Sequence, residues 1–241
     1  MGTVLWLKKI SDDSKNQIFL RGEKHMNDYY IKSNWIGMKD STVTHINEWT
    51  PAVEEESYNG MREVTLKTKH FTNGKIFLTG EVTEEMSNDF VSELLYLAGQ
   101  GKPVDIYINS PGGSVNAGLV IYDVIQACSK KIEINLYCIG MAASMGAVIL
   151  ASGPKGHRFI LPHSKTMIHE PLISGGMGGS ATSIKKTADS ILETKSIING
   201  ILTKHTGKTL EEIDEATAFD NYMNAEESIK FGLCDEIRDI I

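Results

Sequence analysis

From Lys75 onward, apolar and polar positions fall into two alternating periods. Lys75 to Leu78 is a short apolar run that reads as a strand. Val82-Thr83-Glu84-Glu85 then opens a helix whose apolar positions Met86, Phe90, Leu94, Leu95 and Leu97 recur at helical spacing, and Gly99-Gln100-Gly101 ends it. Val104 to Ile108 predicts a second strand, Ala117 to Ala127 a helix, Ile132 to Ile139 a third strand and Ser144 to Leu150 another helix. Two shorter strands are expected at Arg158 to Leu161 and Thr166 to Ile168. A long helix begins near Ser183, with Ile184, Ala188, Ile191, Ile198 and Leu202 on one face. Thr209-Leu210-Glu211-Glu212 and Asn224-Ala225-Glu226-Glu227 each place a small polar cap three residues before a Glu, which marks two further helix starts. Gly232 stops the last of them, and Leu233 to Ile237 predicts a closing strand. Repeated strand–helix units of this kind make an α/β fold with a largely parallel sheet.

Residues 1–70 read differently. All three tryptophans, Trp6, Trp35 and Trp49, lie there with Phe19, Tyr29, Tyr30 and Tyr58, separated by polar residues at no fixed period. Glu54-Glu55-Glu56, followed by Asn59-Gly60, reads as a linker. The chain thus divides into an N-terminal extension, 1–70, serving as a leader or a docking segment, and a main domain, 71–241.

Composition narrows the class. Hydrophobic residues at 41% and charged residues at 23% exclude a disordered or collagenous chain. With 24 Lys and Arg against 31 Asp and Glu, the net charge is −7, and nucleic acid is not an expected partner. Cys128, Cys138 and Cys234 are too few and too scattered for a metal quartet or a disulfide framework, which fits a reducing compartment. No secretory signal is visible near Met1, and the longest apolar stretch, Ile139 to Ala151, is too short to span a bilayer. A cytoplasmic protein without membrane contact or cofactor is expected.

The chemistry concentrates at strand-to-helix junctions. Asn109-Ser110-Pro111-Gly112-Gly113-Ser114 follows a strand and precedes a helix, and its paired glycines can leave backbone N–H groups bare for an anion or oxyanion. The same run also suits an ordinary turn. It carries neither a Walker lysine nor a dinucleotide-binding glycine pattern. Ser144, in Gly140-Met141-Ala142-Ala143-Ser144-Met145-Gly146, stands at a second junction among residues too small to cover it. That placement suits a nucleophile, with the Met145 N–H at the positive end of the helix, and equally suits a simple N-cap. A serine needs a base. His157 and His163 lie in loops, whereas His169 ends a strand and precedes Glu170-Pro171, so His169 is preferred. A carboxylate must orient that ring, and Asp220 is one of several that spacing alone leaves open.

Taken together, Ile76-Phe77-Leu78-Thr79-Gly80, Tyr107 to Gly113, Ala142 to Ala147, Met167-Ile168-His169-Glu170-Pro171 and Asn224 to Asp235 resemble, in order, the ClpP family of Clp protease proteolytic subunits. The likeness runs from about residue 74 to residue 239. It implies a Ser144–His169–Asp220 peptidase with Gly113 and Met145 as oxyanion donors. It also implies the ClpP/crotonase-type spiral of β-β-α units, built into two stacked heptameric rings around a chamber that receives unfolded polypeptides from a Clp-type AAA+ ATPase. The helix Ser183 to Thr206, preceded by Gly175 to Gly179, matches the handle through which such rings meet. Two features depart from the family: Ala218-Phe219 replaces a charged pair used in ring contacts, and the first 70 residues match no family propeptide.

Two other readings compete: a catalytically silent ring or scaffold subunit, and a crotonase-type acyl-CoA enzyme. The first would be favoured by a missing triad residue, and none is missing; the second needs no Ser–His–Asp set.

Overall fold

The computed structural model describes residues 7–10, 17–20, 30–31, 52–57, 60–173 and 178–239. They form two units, 1–65 and 66–241. In the first, β1 (Leu7–Ile10), β2 (Gln17–Leu20) and β3 (Tyr30–Ile31) make an antiparallel sheet, and β4 (Ala52–Ser57) pairs with β5 (Gly60–Thr65). The linker expected at Glu54–Glu56 is instead strand: Glu54, Glu55 and Glu56 stand opposite Glu63, Arg62 and Met61. Ladder pairing here overrides the low strand propensity of glutamate. The tryptophans of this region lie outside the described residues.

The second unit begins with α1 (Leu66–Thr72), a helix that the sequence pattern does not announce and that straddles residue 70. It continues β6 (Lys75–Thr79), α2 (Glu84–Gly99), β7 (Val104–Ser110), α3 (Val115–Cys128), β8 (Ile134–Ala143), α4 (Met145–Ala151), β9 (Arg158–Ile160), β10 (Lys165–Ile168), α5 (Ala181–Thr206), α6 (Leu210–Thr217), β11 (Asn221–Met223), α7 (Ala225–Phe231) and β12 (Glu236–Ile237). This is the α/β architecture that the sequence implies. Strands β6, β7, β8 and β10 are parallel neighbours, β9 is parallel to β8 and β12, and only β11, against β10, runs antiparallel. The expected strand at Leu233 to Ile237 shrinks to Glu236–Ile237.

Local chemistry explains the element ends. Thr83 caps α2 by accepting the Met86 N–H, and both expected capping boxes close with their glutamates, Glu212 and Glu227. Phe90, Leu94 and Leu97 of α2 are buried, but Leu95 is 54% exposed because a five-residue step from Phe90 leaves the apolar stripe. They pack with Ile76, Leu78, Ile106, Ile108, Ile121 and Ile125 into the main core. A second cluster joins Met145, Val148, Ile168, Ile198, Leu202 and Ile213, which docks only the C-terminal half of α5. Ile184 and Leu192, earlier on α5, are exposed in the single chain. Of the glycine run before α5, Gly175, Gly176 and Met177 lie outside the described residues.

Strand β8 positions the site. Its first half pairs with β9 and its last three residues with β10, so one edge serves two partners. The change of partner falls at Gly140, whose φ of +95° a residue with a Cβ rarely adopts.

Candidate active site

The strand order β11-β10-β8 sets three side chains in a row. Met167 pairs with Ala143 between parallel β10 and β8, which sets Ser144 level with Ile168, and the sharp turn at Ser144, with φ of +53°, carries its side chain to His169 one residue further on. Ile168 pairs with Asn221 between antiparallel β10 and β11, so continuing that register sets His169 opposite Asp220. The side chains meet accordingly. His169 Nε2 is 2.8 Å from Ser144 Oγ, and His169 Nδ1 is 3.0 Å from Asp220 Oδ1. A carboxylate only accepts hydrogen bonds, so Nδ1 donates to Asp220 and Nε2 of the neutral ring accepts from the serine hydroxyl. The histidine side chain is 16% exposed and the aspartate 58%.

Ser144 makes no capping bond to α4, and its φ of +53° makes it the one described non-glycine residue with positive φ. Its backbone is held by its own N–H, which donates to the Met167 carbonyl at 2.8 Å. The turn resembles a nucleophile elbow, and such strain costs on the order of 1–3 kcal/mol. The Met145 N–H opens α4, where no intrahelical acceptor exists for it.

Gly112 and Gly113 lie against this turn. A Cβ on Gly112 would stand 2.6 Å from Ser144 Cβ and 3.0 Å from Met145 N, and one on Gly113 would stand 2.4 Å from the Val82 carbonyl oxygen. Their φ values of +93° and +153° also demand glycine. The turn's hydrogen bonds engage the N–H groups of Gly112 and Ser114 and leave that of Gly113 out.

The other sequence candidates go elsewhere. His157 Nδ1 lies 2.7 Å from Asn135 Oδ1, and His163 is exposed in the turn after Pro162. Burial pushes the thiols of Cys138 and Cys234 up to about 12, which keeps them protonated and poor nucleophiles. Glu170, next to the histidine, accepts from Lys195 of α5 at 2.7 Å, and its N–H donates to the Thr217 carbonyl. Beside Ser144 and His169 a narrow apolar pocket is walled by Val115, Met145, Val148, Ile168, Ile198 and Leu202. It neighbours a groove of about 460 Å³ between Pro171–Ile173 and α5. Sequence spacing does not single out the pocket walls, because they come from separate elements. A larger concavity of about 530 Å³, between α1, β6 and α2, contains neither serine nor cysteine beside its one histidine, His70.

A serine, an imidazole and a carboxyl group linked in that order, beside a bare amide turn, form a set suited to acyl transfer. The family model of the Clp protease matches residues 58–240, and the chain belongs to the Clp protease family. It is a ClpP-like peptidase, and the match begins well before the motifs quoted above.

Proposed function

We propose that this chain is a serine endopeptidase that hydrolyses unfolded polypeptides by an acyl-enzyme route. The unbroken hydrogen-bonded series from Ser144 Oγ through the His169 ring to Asp220 supports this reading. Ser144 Oγ attacks the scissile carbonyl carbon as His169 Nε2 takes its proton. The Gly113 and Met145 N–H groups receive the oxyanion. His169 then protonates the leaving amine, which departs with the C-terminal product. Water, deprotonated by the same nitrogen, attacks the acyl-Ser144 ester and releases the second product. Asp220 holds the ring in the tautomer this requires.

The surface next to the proposed nucleophile is apolar, formed by Val115, Ile198 and Leu202. Membership of the Clp protease family supports assembly into two stacked seven-membered rings fed by a Clp-type AAA+ ATPase. A fluorophosphonate probe tests the reading directly. It labels the wild-type chain at Ser144, and Ser144→Ala abolishes both labelling and peptide hydrolysis, with a loss of roughly 10⁴- to 10⁶-fold in kcat. Undiminished turnover by Ser144→Ala would refute it.

A further inference from the structure

We infer that Ser110 is a positioning residue for the oxyanion-binding amides, acting from beneath the site without touching substrate or triad; the inference rests on the peptidase reading above. Ser110 ends β7 and is fully buried. Its hydroxyl is used in both directions: it donates to the Gly80 carbonyl at 2.6 Å and accepts the Gly112 N–H at 3.1 Å.

Two further bonds complete the frame. The Val82 N–H donates to the Gly112 carbonyl and the Ser114 N–H to the Val82 carbonyl, both at 2.8 Å. On the outer side, Ser114 Oγ donates to Glu84 Oε1 at 2.8 Å. The turn carrying Gly113 is therefore sewn to the segment after β6, and Ser110 supplies the side chain on its buried side.

Glycine makes that support necessary. Gly112 and Gly113 carry no side chains to lock them, and glycine samples several backbone wells with little preference. Gly112 also touches the nucleophile: its missing Cβ would overlap Ser144 Cβ. Any rotation at Gly112 therefore moves the Gly113 N–H relative to Ser144. An oxyanion donor works through preorganisation, at 2.7–3.1 Å from an oxygen that becomes charged only in the transition state. Loosening the clamp should thus slow the chemical step more than it weakens substrate binding. Without the hydroxyl, the Gly112 N–H, on a buried residue, loses its partner, and the turn must shift to find another.

The test compares wild type, Ser110→Ala and Ser110→Cys on a matched pair of small peptide substrates, an ester and its thionoester. Sulfur accepts hydrogen bonds poorly, so the ester-to-thionoester rate ratio reports the oxyanion contact, and simple loss of folded protein leaves that ratio unchanged. Ser110→Ala is expected to lose kcat by roughly ten- to a hundredfold, short of the 10²–10³ for deleting a donor outright. KM should stay within about twofold and the ratio should fall toward one. Ser110→Cys, which keeps a weaker donor and acceptor, should fall between. A wild-type ratio in Ser110→Ala overturns the inference, whatever happens to kcat. If Ser110→Ala does not fold, the ratio of Ser110→Cys decides in the same way. A wild-type chain inert to fluorophosphonate and to both substrates removes the peptidase reading and this inference together, whereas an active wild type with unaltered variants removes this inference alone.

Discussion

Gly112 and Ser144 approach so closely that a Cβ at the first would sit 2.6 Å from the Cβ of the second. Two strand-to-helix turns therefore interlock, one carrying Ser144, the proposed nucleophile, and the other the Gly112-Gly113 amides.

Gly112→Ala must push that contact apart at a φ of +93°. The expected result is a loss of at least about a hundredfold in kcat, since a displacement near 1 Å at the reacting atoms is enough for that. Peptide kinetics beside thermal melts check it, and near-normal turnover in a well-folded variant contradicts it.

Arg158 is fully buried and binds Asp235 through Nε at 2.9 Å. Its Nη1 donates to the carbonyls of Ala151, His205 and Gly232, which end α4, α5 and α7. Burial alone would raise the Asp235 carboxyl, but the Arg158 hydrogen bonds and charge outweigh it and hold the group well below the usual carboxylate range. Arg158→Met takes away the buried partner of that carboxylate, leaving it Lys155 at 3.1 Å and the Gly156 N–H at 2.7 Å, and should cost less than the roughly 3–5 kcal/mol of a fully unpaired buried charge in urea unfolding. Adding Asp235→Leu should recover part of the loss, because the carboxylate that Arg158 held is gone with it.

His205, beside Tyr122 Oη at 3.1 Å, is held neutral. Burial, with Lys204 and Arg158 nearby, lowers it from 6.5 to about 4. The unfolded chain protonates first as pH falls, so the stability this residue contributes is complete above about 6.5 and lost toward 4. His205→Gln should flatten the stability profile between those limits, measured by urea unfolding at stepped pH. An unchanged slope would argue against the assignment.

The proposed ring pairing, which the family resemblance places at α5, should tolerate salt. Leu192 is 62% exposed, Ile197 47%, and Phe219, in the loop before Asp220, 86%. Apolar contacts survive screening that dissolves ion pairs. Sedimentation is therefore expected to give the same particle from about 0.1 M to about 1 M salt, and dissociation into smaller rings at high salt would count against apolar pairing.

Removing residues 1–60 should leave small-peptide hydrolysis intact. The Ser144–His169–Asp220 series, the glycine turn and the apolar pocket all lie within the second unit, 66–241. A truncated chain that assembles but is inactive would place the N-terminal segment in the active site.

What the sequence makes legible follows from how far each signal travels along the chain. Strands β6, β7 and β8 are legible because each carries a short apolar run at its centre, and Thr209 and Asn224 announce α6 and α7 through local bonds. Strand β11 is invisible because three residues carry no period and its ladder belongs to β10. The charged strand β4 reads as a linker for the same reason: its partner β5, not its own composition, makes it a strand. At the site, His169 is favoured by its position at a strand end. Asp220, by contrast, needs the family motif, because only the β10–β11 register brings it opposite the histidine. Ser110 sits inside a quoted motif, yet its two-way hydroxyl is a tertiary fact that no spacing contains.

The positive φ of Ser144 sets stability against function at a single position. Glycine would relieve the backbone there and remove the hydroxyl in the same step. Selection for robustness alone would therefore drift toward loss of the hydroxyl at residue 144, on which the proposed peptidase reading depends. A screen for thermostable variants of this protein must carry an activity readout, or it will enrich for molecules that have discarded the Ser144 hydroxyl.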